Sequence, residues 1–376
     1  VISRVSWESF AVPFRTSFAS SRETFAHREG LVVFAESTDG SVGLGEASPL
    51  PGLDGGLQQT AAAVEALARC AIGKSPSDAW QDLACERGGP YRAAVAAARF
   101  AVETAIADLA AKAEGMPLGA CLASKPGLPS PSASVPVNAV VGEGSAAHVR
   151  AAVLKRARQG FAAVKLKVGA EPAADVARVA EARDALGPAA ELRIDANQAW
   201  TFDEARAFFA MVAPHGVSLC EEPIRPGPAH LQELARLEAA TGIQIAVDES
   251  CRDTAALRSV IEAGAASAVI IKPTVTGLVE ALSMLELARS ANLATIVTSA
   301  FESGIGVTAA AHVASLLQQP PACGLATLDL LEDDLVVDPP PLKAGCLYLP
   351  RGPGLGVTCD QAALGRFATN LRGTIA

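Results

Sequence analysis

The sequence predicts an α/β protein in which a closed parallel barrel of βα repeats follows a separate α+β unit. Three observations lead there. From Val135 onward, short apolar runs alternate with amphipathic Ala-rich segments of roughly 10 to 15 residues, the rhythm of repeated βα units. Before that rhythm the chain carries paired strand-like runs and helical stretches that do not alternate. Between the two regions, Lys125 to Ser134 turns to Pro, Ser and Gly, the composition of a connector. A chain of 376 residues also exceeds the roughly 250 to 300 at which single cores stop growing, so more than one structural region is expected.

Taken in order, Gly30 to Ser37 and Ser41 to Glu46 flank Thr38-Asp39-Gly40, a hairpin-type turn, and read as antiparallel strands. Leu57 to Ile72 and Tyr91 to Gly115 place apolar residues at helical spacing, and the second closes on a glycine. The polar stretch Ser20 to Glu29, which contains His27, reads as a mobile lid or an ordinary exposed loop. Seven apolar runs then follow as strands: Val135 to Val141, Val164 to Val168, Leu192 to Ala196, Ser218 to Glu222, Ile245 to Glu249, Ala268 to Lys272 and Ala294 to Ser299. A weaker eighth is Gly324 to Leu328. Eight such units close into a (β/α)7β, TIM-like barrel whose active site lies at the C-terminal ends of the strands. The expected regions are residues 1–132, 133–331 and 332–376.

Composition narrows the function. The chain is 50% hydrophobic and 19% charged with a net charge of −9, which describes a globular protein and offers no basic stripe for phosphates. Nucleic acid is therefore excluded as the expected partner, and a small molecule is favoured. No apolar run of 18 or more residues is present to span a membrane. The eight cysteines, Cys70, Cys85, Cys121, Cys220, Cys251, Cys323, Cys346 and Cys359, form no CxxC pair and read as buried thiols in a reducing, cytoplasmic setting. The first residue is Val rather than Met, consistent with a processed or excerpted form, so an organellar stroma stays open.

The charges at the strand ends single this barrel out. Lys167, Asp195, Glu221, Asp248 and Lys272 each close a different strand, at intervals of 28, 26, 27 and 24 residues. One repeat apiece brings all five to one rim. Asp195, Glu221 and Asp248 form an all-oxygen set suited to Mg2+ or Mn2+ rather than zinc. Adjacent strand residues face opposite sides, which leaves Glu222 and Glu249 as supporting carboxylates behind the ligands, if Glu221 and Asp248 are the inward pair. Lys165 and Lys167, two apart, point into one space, where a neighbouring ammonium and a metal ion would each lower a lysine's pKa toward the working pH and make it a base. Lys272 stands across the mouth.

In this order and spacing, KLK, DAN, EEP, DES and IKP resemble the muconate-lactonizing subgroup of the enolase superfamily, over nearly the whole chain. The resemblance implies that Asp195, Glu221 and Asp248 hold magnesium, that Asn197, Glu222 and Glu249 support them, and that Lys165, Lys167 and Lys272 are the catalytic lysines. It implies an enediolate formed when a lysine removes the proton next to a substrate carboxylate. It also implies that the first region caps the barrel mouth and that the chain beyond about Glu332, including the strand-like Cys346 to Leu349, returns to that cap.

Within the subgroup, Gly45 to Gly52 (GEASPLPG) and Ser299 to Gly306 (SAFESGIG) are similar to the o-succinylbenzoate synthase family. That likeness implies a lyase of menaquinone or phylloquinone biosynthesis, a dehydratase acting on 2-succinyl-6-hydroxy-2,4-cyclohexadiene-1-carboxylate. Arg193, Thr298 and Ser299 are then expected to bind substrate. The alternatives are a dipeptide epimerase or N-succinylamino acid racemase using the same lysines, and, from another class, a catalytically silent barrel serving as a binding module. Dipeptide epimerases carry an acidic pair on the eighth strand for the substrate ammonium group, where GLATLD supplies only Asp329. None of His27, His148, His215, His230 and His312 ends a barrel strand, which disfavours a mandelate-racemase-like site; they are expected to be surface or packing residues. Oligomeric state is not encoded in any of these features.

Overall fold

The computed structural model describes residues 1–19, 24–50, 55–85, 95–124, 127–142 and 144–376. Three strands open the chain: β1 (Ile2–Ala19), β2 (Thr24–Ser37) and β3 (Val42–Ala47). The expected hairpin is there, turning at Gly40 with φ 87°, while the long β1 carried no turn signal that set it apart. Helices α1 (Leu57–Ala71), α2 (Pro76–Cys85), α3 (Ala96–Ala113) and α4 (Leu118–Ala123) follow. The expected helix from Tyr91 starts at Ala96, with residues 91–94 outside the described residues. Of the expected lid, residues 20–23 also lie outside them; Thr24 to Glu29 belongs to β2, with His27 exposed opposite Pro13.

Helix α3 carries apolar residues around its whole circumference, with Glu103 and Asp108 buried among them, because it is enclosed between the first sheet and the barrel. Its close approach explains two glycines of β3. A Cβ on Gly43 would lie 2.0 Å from the Ala105 carbonyl oxygen, and one on Gly45 would lie 1.9 Å from that of Ala101. An Ala-rich helix and alternate glycines in the facing strand thus describe one packed surface.

The barrel strands are β5 (Ala139–Val141), β6 (Ala163–Lys167), β7 (Glu191–Asp195), β8 (Val217–Glu221), β9 (Gln244–Val247), β10 (Ala268–Ile271) and β11 (Ala294–Val297), hydrogen-bonded in that order and in parallel. Between them run α5 (Ala146–Arg158), α6 (Pro172–Leu186), α7 (Phe202–Val212), α8 (His230–Thr241), α9 (Thr254–Ala263), the short α10 (Pro273–Thr276) and α11 (Leu278–Ser290), and after β11 comes α12 (Gly304–Ala314). The weak eighth run is not a strand but closes the ring through backbone pairing. Cys323 N–H donates to Pro136, its carbonyl accepts from Asn138, and Gly324 exchanges hydrogen bonds with Val297 and Ser299.

Two expectations are corrected at the floor of the barrel. The run Val135 to Val141 is broken, because Val137 donates to Gly345 instead of a barrel neighbour. Its first part becomes β4 (Ser134–Pro136), which joins β12 (Leu342–Lys343) and β13 (Cys346–Tyr348) in a separate sheet. Cys346 to Leu349 therefore packs at the N-terminal end of the first barrel strand and does not return to the cap. The return begins at Glu332, whose N–H donates to Pro13 of β1, and is completed where α13 (Gln361–Phe367) leads into β14 (Ala368–Ile375), antiparallel to β1.

Candidate active site

Strand register gathers the charged residues. Lys167 pairs with Asp195 and Asp195 with Glu221, so three strand ends stand level. Glu221 pairs with Ala246, two residues before Asp248, and Ala246 pairs with Ala268, four before Lys272. Even spacing keeps a side chain on one face, so all five share the barrel interior and climb around the rim. Below them lie the inward Leu219, Ala246, Ala268, Ile270 and Ile296.

Each carboxylate faces an ammonium. Lys165 Nζ lies 2.8 Å from Glu221 Oε2 and 3.3 Å from Asp195 Oδ2, and Lys167 Nζ lies 2.6 Å from the same Asp195 oxygen. Lys272 donates to Asp248 Oδ2. Burial works against the charges of Lys165 and Lys272, but the pairings override it, and Glu221, Asp195 and Asp248 hold these ammonium groups above the ordinary lysine range. Asp195 is correspondingly held below the usual carboxylate range by Lys167 and Lys165 in spite of its burial. Burial outweighs Lys165 at Glu221, whose pKa is raised.

The supporting residues stand behind this row. Asn197, in left-handed backbone with φ 45°, accepts from Lys167 at 2.7 Å and donates to Glu249 Oε1 at 3.1 Å. Burial, followed by Asp248, pushes Glu249 up to about 7. Glu222 turns away from the mouth and accepts from the Asp248 and Ser250 amides at 2.9 and 2.8 Å.

Arg193 does not reach the rim. It shares the inward face of Asp195, but its guanidinium runs down to Glu191, the first residue of its own strand, and to the Ala322 carbonyl at 2.7 Å. It is an ion-pair partner at the barrel floor. Ser299 is engaged by the Thr327 hydroxyl at 2.7 Å. Thr298 shares the inward parity of Ile296, and its buried Oγ1 has no hydrogen-bond partner among the described residues. Asp329 forms a surface ion pair with Arg156 at 2.6 Å. His230, expected as surface or packing, is buried against Glu222 and Ser250, and no spacing in the sequence announces that contact.

Among the described residues, no three His, Cys, Asp or Glu side chains are already drawn together as a metal cluster, because the three carboxylates are turned onto lysines. Their chemistry nonetheless fits a hard divalent cation: oxygen donors from adjacent strands, and a buried Glu249 Oε2 with no hydrogen-bond partner among the described residues. The ammonium groups supply at these oxygens the positive charge that such a cation would bring.

Residues 148–363 match the model of the enolase C-terminal domain-like family, and residues 2–122 match that of the mandelate racemase / muconate lactonizing enzyme N-terminal domain. The chain belongs to the enolase superfamily. Within the superfamily it is a member of the muconate-lactonizing subgroup, and it is an enzyme. A D-Ala-D/L-Ala epimerase of Cytophaga hutchinsonii is 28% identical over 94% of this enolase-superfamily chain and 92% of its own length. An o-succinylbenzoate synthase of Thermobifida fusca is 38% identical over 58% of the chain and 67% of its own length. The crystal structure of the Cytophaga hutchinsonii dipeptide epimerase, complexed with Mg and D-Ala-L-Val, covers the whole of both chains with a TM-score of 0.86 and 26% identity.

Proposed function

We propose that this enzyme moves the proton next to a substrate carboxylate between two lysines set on opposite sides of the barrel mouth. The observation that carries the reading is the placement of Lys167 at the end of β6 and Lys272 directly after β10, half a turn of the ring apart, around Asp195, Glu221 and Asp248. Those three carboxylates would hold Mg2+, the ion in the related epimerase structure. When bound, the ion would neutralise the negative charge that develops on the substrate carboxylate as the proton leaves. Lys167 is tethered by Asp195 and Asn197, and Lys272 by Asp248, so each ammonium is fixed before substrate arrives. A lysine released from its carboxylate and deprotonated to the neutral amine takes the α-proton and becomes an ammonium, while the ammonium opposite gives its proton to the other face and becomes the amine.

Two finer readings share this chemistry. Epimerisation of a dipeptide or N-acylated amino acid is supported best by the relatives that match over nearly their full length, and it uses both lysines as acid and base. Dehydration to o-succinylbenzoate is supported by one local observation: Asp329 is spent on Arg156, where a dipeptide epimerase needs carboxylates for a substrate ammonium. The 38% identity to the Thermobifida fusca synthase points the same way. In that reading Lys167 takes the α-proton and protonates the departing hydroxyl, while Lys272 stays charged.

One experiment tests both. The protein with Mg2+ is given dipeptides and N-succinylamino acids in heavy water and followed by NMR, and the cyclohexadiene carboxylate is followed in parallel by loss of diene absorbance. Exchange with inversion supports the epimerase, rapid aromatisation supports the synthase, and neither, at any divalent metal concentration, overturns the shared reading.

A further inference from the structure

His230 is the first residue of α8, and its environment sets its protonation state by hydrogen-bond counting. Nδ1 lies 3.2 Å from the Arg225 carbonyl oxygen, which only accepts, so Nδ1 carries a proton. Ser250 Oγ lies 3.1 Å from Glu222 Oε2, and the carboxylate accepts, so the hydroxyl proton points there. The same oxygen lies 2.8 Å from His230 Nε2 and has only its lone pairs left for that contact. Nε2 must therefore carry a proton as well. Both nitrogens donate, and the ring is an imidazolium.

The charge sits where it is needed. Glu222 is completely buried beside Glu221, and its backbone is left-handed with φ 37°, a conformation that persists in a non-glycine residue only when its surroundings enforce it. Its Oε1 holds the amides of Asp248 and Ser250, the turn that presents Asp248 to the mouth. His230 Nε2 lies 3.7 Å from Glu222 Oε2 and is the cation facing it. The other groups around the ring are Glu233 on its own helix and the Arg225 backbone; the Arg225 guanidinium is directed to the Ala199 carbonyl and toward Glu204.

We propose that His230 is a positioning residue of the active site: its imidazolium locks Ser250 and Glu222, and through them the backbone that aims Asp248. The inference rests on the metal-assisted reading above. Removing a residue that orients a ligand in this indirect way typically costs 10- to 100-fold in metal affinity.

The test uses Mn2+ alone as probe, with free ion counted by electron paramagnetic resonance, on the wild type, His230→Ala, Ser250→Ala, the double variant and His230→Gln. The dissociation constant is expected to rise about tenfold or more in each single alanine variant, to rise no further in the double, and to fall between in His230→Gln. A folded His230→Ala with wild-type affinity, or single effects that simply add, overturns the proposal. Wild-type affinity in His230→Gln removes the role of the charge. Should the alanine variant not fold, 15N-imidazole spectra of the wild type decide: both nitrogens protonated at neutral pH is expected, and a neutral ring rejects the lock. A wild type that binds no Mn2+ overturns the metal reading, while the imidazole spectrum still reports on the lock by itself.

Discussion

Asp195 is shared by two lysines, since both Lys165 and Lys167 lean on one of its oxygens. Asp195→Asn should weaken Mg2+ binding in calorimetry, and an unchanged affinity would remove it from the donor set. Lys167→Ala should reduce turnover by roughly a hundredfold or more, the usual worth of a positioned acid or base, with the circular dichroism unchanged. If the enzyme is an epimerase, Lys167→Ala and Lys272→Ala should each still exchange the α-proton of one enantiomer, and not the same one; loss of both exchanges in one variant would instead mark a single-base reaction. These five rim positions were legible because a strand every repeat forces one charged residue per strand to the same end. Arg193 was not, since parity fixes only the face, and a long side chain on that face can run up to the mouth or down to the floor. Arg193→Met is expected to cost about 2 kcal/mol of stability, the scale of a lost charged hydrogen bond, in denaturant unfolding while leaving KM unchanged.

Helix α11 begins without a side-chain cap and α12 with Ser303 as its cap, and a carboxylate from the first region reaches the start of each. Gly277 gives α11 no side-chain cap, and Glu103 of α3 accepts from Val279 N–H at 3.0 Å. Glu46 of β3 accepts from Ser303 and Gly306 N–H, both at 3.0 Å, at the start of α12. Orphan amides and the positive helix end both favour an oxygen there. The segments GEASPLPG and SAFESGIG thus meet in space, which gives their co-occurrence a structural reason that sequence separation hides. Burial pushes Glu103 up to about 7 from an ordinary 4.5. A carboxyl raised on folding contributes stability that is complete below the lower value and is lost as pH rises through the higher one. Glu103→Gln, which keeps an acceptor without an ionisable proton, should gain stability over wild type by roughly 3 kcal/mol between pH 5 and pH 8. Melting curves across that range check the sign, and a constant difference would refute it. The closure of the ring at Cys323 and Gly324 was the least legible feature, because two residues of backbone pairing carry no periodicity to read.

The molecule is held together at two seams, the ring closure at Cys323–Gly324 and the first sheet, whose outer strand is β14. Reading repeats gave the barrel, but neither seam has a local pattern, since each depends on partners brought from far along the chain. Deleting residues 368–376 should uncover the edge of β1, and an exposed edge of that length is a template for association. Size-exclusion chromatography should show larger species and the thermal transition should fall; a monodisperse, equally stable product would mean that β14 is dispensable.

The pairing of β1 with β14 also sets an order of events during synthesis. Ser9 meets Thr369 across 360 residues of sequence. At about 5 to 20 residues per second on a ribosome, β1 is made roughly twenty seconds to more than a minute before its outer partner exists. The nascent chain therefore carries a half-paired strand past the whole barrel while it is being translated. That interval is the window in which a chaperone holding the amino-terminal strand would matter most.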